Sequence, residues 1–311
     1  MTPSTAPARV TGWRITGLFW DEHEPCLVAS HPDRADRSLP LPRGQELRLA
    51  LTGPRACVGL WDQRQGRRLC ERPLPAGTNS QCPACAEQDR GKQLARDAYV
   101  DERTYLLYLA WFGPELVKVG MTAAERGRAR LLEQGALWSV TLAQGPLTAV
   151  REAERAIRRA ALATEQVRLT RKLTALERLD EAARDQAGDD LSRVRERALQ
   201  SGLLDRVQVL SDQVQDHTAV FSLTVPTPLA PFHHRLDPAA PLEGARLVGQ
   251  VRAVWGRVLI VDLPGRPEPL VADARLLSGY RLGPAPTAPH ALPTRAHTPD
   301  TGETHDQIGL F

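Results

Sequence analysis

Apolar and polar residues alternate at period two from Gln45 to Leu51, the pattern of a half-buried strand, and Pro40, Pro42 and Gly44 mark the turn before it. Short strands are expected throughout about Val10 to Ala56, and again over Thr104 to Trp111 and Leu116 to Thr122, joined at Gly113-Pro114. The period then changes. Glu125 to Glu133 reads as a helix ending near Gly135. A second begins close to Thr148, where Val150, Ala153, Ile157 and Ala161 recur at three and four residues and Glu154 lies beside that apolar stripe. Between Glu165 and Gly202, Leu169, Leu173, Leu176 and Ala183 form one stripe and Leu191, Val194, Ala198 and Leu199 another, with a break expected at Gly188-Asp189-Asp190. Leu247 to Val254 and Arg257 to Leu263 then flank Trp255-Gly256 as a hairpin.

These patterns predict an α+β protein with a β-rich module at residues 1–56, a cysteine segment at 57–103, a small mixed sheet with helices at 104–163, a charged helical hairpin at 164–212 and a second β-rich module at 213–283. From Pro284 onward, prolines and threonines replace large apolar residues, so 284–311 is expected to be disordered. A 42% hydrophobic, 25% charged composition is that of a soluble globular chain. No apolar run is long enough to cross a bilayer and MTPSTAPARVTGWR carries no signal-like stretch, so no membrane partner and a cytoplasmic location are expected. A net charge of +3 is compatible with nucleic acid without demonstrating it. Lysine occurs only at Lys92, Lys118 and Lys172, and arginine supplies the remaining basic residues. Together with abundant Ala, Leu, Pro and Gly this looks like the product of a GC-rich genome, and arginine abundance alone says little about phosphate.

Four of the five cysteines fall in one segment. Cys82-Pro83-Ala84-Cys85 has the spacing of a knuckle whose two thiolates face one tetrahedral zinc, and Cys57 and Cys70 can complete the set or be ordinary buried small residues. The segment RRLCERPLPAGTNSQCPAC has too few apolar residues for a core of its own, which favours a structural zinc site. Cys26 stands apart as a spare thiol.

One constellation suggests a reaction. LYLA at Leu107 to Ala110, KVGMT at Lys118 to Thr122, RLLEQGA from Arg130 and Glu154 on a later helix follow one another in the order of the GIY-YIG nuclease core, which they resemble. The resemblance implies that Tyr108, or else Tyr105, positions or deprotonates water, that an arginine steadies the phosphate, and that Glu154 holds Mg2+ or Mn2+. Lys118 stands where the second tyrosine is usual and resembles the KIG variant of that superfamily; it would assist at the phosphate. Gly120 would let backbone approach the phosphate, and Thr122 would lie near a helix N-cap. Arg126, Arg128 and Arg130 all lie on the candidate helix; Arg130 is favoured because RLLEQGA resembles the RWIDQGA run of the domain of unknown function 2797 family. That family also carries a cysteine cluster upstream of its KVG-T motif, and a glycine-linked hairpin with a Gly-Tyr pair like Gly279-Tyr280.

The last five residues differ from the tail before them. Gln307, Ile308, Leu310 and Phe311 resemble the QLxLF pentapeptide by which bacterial polymerases and repair proteins hold the sliding clamp. The expected function is therefore a metal-dependent GIY-YIG-like endonuclease that acts on DNA in repair or replication, is recruited to the bacterial sliding clamp and is associated with the nucleoid. The rival expectation is a non-catalytic nucleic-acid-binding or clamp-adapter protein.

Overall fold

The computed structural model describes residues 12–21, 23–62, 66–96, 101–211, 213–223, 234–288 and 292–296. It begins with four antiparallel-compatible strands, β1 (Arg14–Trp20), β2 (Pro25–His31), β3 (Arg34–Pro40) and β4 (Glu46–Thr52). The cysteine segment follows, with the short ribbon β5 (Leu60–Asp62) and β6 (Gly66–Arg68) and the short helices α1 (Pro83–Gln88) and α2 (Arg90–Ala95). The central unit contains β7 (Thr104–Trp111), β8 (Val117–Ala123), α3 (Gly127–Gln134), β9 (Trp138–Pro146) and α4 (Leu147–Arg159). Helices α5 (Leu169–Glu177) and α6 (Glu181–Gln200) and the two-residue strands β10 (Gln208–Val209) and β11 (Gln215–Asp216) come next. The chain closes with β12 (His234–Leu236), β13 (Arg246–Trp255), β14 (Val258–Asp262), β15 (Leu270–Asp273), β16 (Arg281–Leu282) and β17 (Thr294–Ala296).

These elements make an α+β fold with two main sheets. In the smaller, β7 lies between β8 and β9, with β10 and β11 both on the far side of β9. Because side chains alternate across a strand, Leu107, Leu109 and Trp111 enter the large core with α4 and α6, while Tyr108, Ala110 and Phe112 join Leu131, Ala136 and Ala175 on the other face. The larger sheet has ten strands in the order β17-β12-β15-β14-β13-β4-β16-β1-β2-β3 and is antiparallel except for the β12–β15 pair. The two β-rich stretches of the sequence are thus neighbours in one sheet: β4 pairs directly with β13, Leu49 opposite Leu247, and β16 lies between β4 and β1.

The tip of the β13–β14 hairpin joins the two sheets. Gly256 opens its two-residue turn at φ 59°, the position that a type II′ turn reserves for glycine. Trp255 Nε1 donates to the Gly135 carbonyl at 2.8 Å, and Trp20 Nε1 donates to the Gly256 carbonyl at 2.6 Å. Gly135 ends α3 in the left-handed conformation, φ 74°. A Cβ on Gly256 would stand 2.8 Å from the Gly135 nitrogen, so the close backbone approach needs glycine there as well as the turn does.

Three expectations are corrected. The break between the last two helices falls at Arg178 to Asp180, where the Asp180 carboxylate accepts from Ala183 N at 2.9 Å and caps α6. Gly188 and Asp189 lie inside α6, and Asp190 is held there by the indole of Trp111 at 3.0 Å. Leu199, assigned to the apolar stripe, is 41% exposed. Part of the stretch after Pro284 is structured: β17 pairs antiparallel with β12, because backbone pairing at a sheet edge does not require apolar side chains, and residues 297–311 lie outside the described residues. Among the described residues no helix is long and apolar enough to cross a membrane.

Gly256→Ala combines a strained backbone with a clash against Gly135, and is expected to cost about 1–3 kcal/mol of stability in denaturant melts. An unchanged midpoint would show that the hairpin tip does not hold the sheets together.

Candidate active site and metal centre

Tyr108 and Gly120 are directly opposed across β7 and β8. A Cβ at position 120 would lie 2.5 Å from the Tyr108 hydroxyl and 2.6 Å from its ring carbon, so Gly120 is the bed on which the phenol lies rather than an open place for a phosphate. Pinned there, Tyr108 is 2% exposed, and its hydroxyl accepts a hydrogen bond from the side-chain amide of Gln134 at the end of α3. Lys118 Nζ stands 5.9 Å from the centre of the same ring. Tyr105, the other tyrosine on this strand, donates to Asp101 at 2.9 Å and accepts from Arg103.

Glu154 reaches the same region from α4. Val150, Ala153 and Ile157 bury one side of that helix, and Arg151 turns back to donate to the Leu94 carbonyl at 2.6 Å, which ties α2 to it. Glu154 is half-buried and makes no hydrogen bond or ion pair at contact distance among the described residues. Desolvation pushes its carboxyl up to about 7; Lys118, Arg151 and Arg155 oppose the shift and Glu165 adds to it.

Tyr105, Tyr108, Lys118, Thr122, Arg126, Arg130 and Glu154 all line one cavity of about 1140 Å³. Arg126 and Arg130 both bond Glu133, at 2.6 and 3.4 Å. Arg128 is not on the cavity wall; it acts on buried His217, whose imidazole meets the Ser139 hydroxyl at 2.8 Å and is depressed to about 4, chiefly by desolvation. Thr122 caps no helix. It is the next-to-last residue of β8, buried opposite Leu106, because the strand runs one residue past it before the chain turns.

The cavity wall also holds residues that the pattern of the chain did not single out: Lys172 on α5, Arg257 on the hairpin tip, Asp273 at the end of β15 and Arg275 just after it. Basic side chains outnumber acidic ones about two to one along it. A signal was present in the sequence, since Lys92, Lys118 and Lys172, the only lysines of the chain, all face this cavity. In a protein that otherwise uses arginine, a lysine marks a place where a compact ammonium suits and a wide guanidinium does not.

The cysteine segment forms a second centre. The sulfurs of Cys57, Cys70, Cys82 and Cys85 all lie within 4.8 Å of one another. A tetrahedral tetrathiolate zinc, with bonds of about 2.3 Å, places its sulfurs about 3.8 Å apart, so the four can hold a metal such as zinc. The amides of Gly59 and Cys82 point at Cys57 Sγ, at 3.3 and 3.2 Å, as they would toward a thiolate. Buried Arg14 clamps this loop to β1 by donating to the carbonyls of Cys57 and Cys70 at 3.0 and 2.7 Å and by pairing with Glu71. Cys26 lies outside the cluster, on β2.

Gln307, Ile308, Leu310 and Phe311 lie outside the described residues. No curated protein and no solved structure matches this chain. The family model described as protein of unknown function (DUF2797) matches residues 44–282, which runs from the turn before β4 through the cysteine centre and the cavity to β16, and the chain belongs to that family.

Proposed function

We propose that this protein is a metal-dependent phosphodiesterase acting on DNA, with a GIY-YIG-like centre in the large cavity. The observation that carries the reading is the meeting there of Tyr108, Lys118, Arg130 and Glu154, with Glu154 the carboxylate that has no partner at contact distance among the described residues. The strand and helix order β7-β8-α3-β9-α4, with β7 central, supports it. Glu154 supplies a desolvated carboxylate ready for Mg2+ or Mn2+; bound there, such an ion would polarise a phosphoryl oxygen and acidify water. Arg130 and Lys118 set positive charge around the position where phosphorane charge develops, and the Tyr108 hydroxyl, oriented by Gln134, holds the attacking water. The near-complete burial of Tyr108 also favours a second reading, a protein that binds DNA without cutting it.

The four cysteines are proposed to hold a structural zinc, since four thiolates leave no position open for substrate. The final pentapeptide is proposed to dock on the bacterial sliding clamp, which would bring the cavity to DNA during repair or replication, in the cytoplasm and at the nucleoid. That part of the proposal rests on the sequence of residues 307 to 311.

Glu154→Gln should abolish cleavage of branched or nicked DNA in Mg2+ or Mn2+ while leaving affinity within a few-fold. Cleavage by the variant at the wild-type rate would overturn the catalytic reading. Because partial burial lifts the Glu154 pKa to about 7, the carboxylate forms and activity rises between about pH 6 and about pH 8. The metal-free fold shows the opposite trend. The raised pKa favours the protonated, folded state, so this stabilisation is full below the ordinary value of 4.5 and is lost as pH rises through about 7. Glu154→Gln should accordingly raise the melting temperature of metal-free protein at about pH 8 and not at about pH 4; an equal shift at both would contradict the assigned desolvation.

Fresh reduced protein should contain about one zinc per chain, and Cys82→Ser should lose both metal and cooperative unfolding. Metal analysis without zinc would remove the site. A peptide of residues 300–311 should bind the clamp with micromolar affinity, and replacing Leu310 and Phe311 by alanine should eliminate it. Absence of saturable binding at about 0.5 mM would make the pentapeptide an accidental match.

A further inference from the structure

Gln134 links the Tyr108 centre to a second group of side chains. Its side-chain amide donates to the Tyr108 hydroxyl, and its carbonyl accepts from Lys172 Nζ at 2.7 Å. The Lys172 ammonium lies 3.6 Å above the ring of Phe112, which fixes it over a face that cannot neutralise it. Arg257, the second residue of the hairpin turn, enters the same part of the cavity from the large sheet. It keeps an exposed surface although the cavity walls desolvate its guanidinium, which makes no hydrogen bond or ion pair at contact distance among the described residues. Asp273 and Glu133 attract it only from farther off, and each is already bonded, Asp273 to Arg275 and Glu133 to Arg126 and Arg130.

The positive charges around Lys172 come from four elements. Lys118, Arg257, Arg130 and Arg275 all act on it and, with desolvation as the largest cause, hold its proton well below the ordinary lysine range. Three of these five cations have a carboxylate to answer them, whereas Lys172 has only the Gln134 carbonyl and the face of Phe112. Lys118 looks toward Glu154, and Arg130 and Arg275 have the pairs just named, which leaves Lys172 and Arg257 without a contacting anion among the described residues. Gathering like charges in one partly desolvated place is costly, and an anion bound between an ammonium and a guanidinium removes that cost. A phosphoryl group offers oxygens for both at once, matching the fork of Arg257 and the point charge of Lys172.

We propose that Lys172 and Arg257 form a phosphoryl-binding subsite beside the Tyr108–Glu154 centre, taking a phosphate one step along the strand from the one attacked. The inference rests on the reading that the cavity takes DNA, and does not depend on cleavage there. The ligand chemistry is a phosphodiester within a strand or a phosphomonoester at its end.

The test uses the full-length protein without added Mg2+ or Mn2+, with fluorescence anisotropy of a labelled oligonucleotide carrying or lacking a 5′-phosphate, read at several salt concentrations, and with inorganic phosphate in a parallel thermal-shift titration. Arg257→Gln and Lys172→Met should each weaken oligonucleotide binding about tenfold and lower the salt slope by about one, whereas Arg257→Lys should keep the slope. Arg206→Gln, at a residue outside the cavity lining, serves as the matched charge loss. Loss of affinity on removing the 5′-phosphate assigns the subsite to a strand end, and equal affinity assigns it to an internal diester. Wild-type affinity and slope in both Arg257→Gln and Lys172→Met, with DNA bound, would overturn the subsite and leave the DNA reading standing. Phosphate stabilisation that disappears in Arg257→Gln, without oligonucleotide binding, would keep the subsite and sink the DNA reading. Should Lys172→Met fail to fold, the comparison of Arg257→Gln with Arg257→Lys decides alone.

Discussion

The approach of Gly256 to Gly135 governs how the two sheets of this protein meet. Two backbones can come this close only where neither carries a side chain, and both residues also occupy left-handed conformations that end a helix on one side and start a hairpin turn on the other. Trp255 and Trp20 fasten the contact with indole hydrogen bonds to the two glycine carbonyls. The residue after Gly256 is Arg257 and the one before Gly135 is Gln134, so the contact that joins the sheets also sets the floor of the cavity. Geometry at the site is therefore inherited from packing rather than from loops free to adjust.

Charge is distributed around that floor with little slack. Arginines near the rim are matched to carboxylates on their own or adjoining elements, as Arg126 and Arg130 are to Glu133 and Arg275 is to Asp273. Such exposed or half-exposed pairs contribute little stability, but they orient guanidinium groups and keep them from collapsing onto the unpaired Glu154. Glu154 and Lys118 act on each other without touching. Among the described residues the cavity thus holds one unbonded carboxylate near a surplus of cations.

Much of the central unit was legible from spacing alone. The candidate strands at Thr104 to Trp111 and Leu116 to Thr122, the Gly113-Pro114 turn and the three-and-four stripe around Glu154 correspond to β7, β8 and α4 within a residue or two, because each pattern is local and buried. Cys82 and Cys85 were legible because thiolate chemistry leaves few alternatives at a two-residue spacing, whereas Cys57 and Cys70 were left open by their long separation and are brought to the cluster only by the fold. Gly188-Asp189-Asp190 misled because glycine and aspartate do punctuate helices, whereas here Asp190 has a buried indole to bond and Asp180 is the better cap. Lys172 and Arg257 lie 85 residues apart and are brought together only by sheet-to-helix docking, which leaves no periodic trace. The rarity of lysine was the one clue, and it is compositional rather than positional.

The pairing of β4 with β13 and of β1 with β16 has a consequence in time. Strands made early must wait for partners made about 200 to 270 residues later, and non-local pairing of this kind is slow to form. The smaller sheet closes over a much shorter stretch, so during synthesis β7, β8 and β9 can assemble while β1 to β4 still lack half of their sheet. Arg257 and Arg275 arrive with that late half. A nascent chain consequently displays Tyr108 and Glu154 well before it has a closed cavity, and its unpaired early strands are the surfaces most exposed to mispairing until β13 and β16 leave the ribosome.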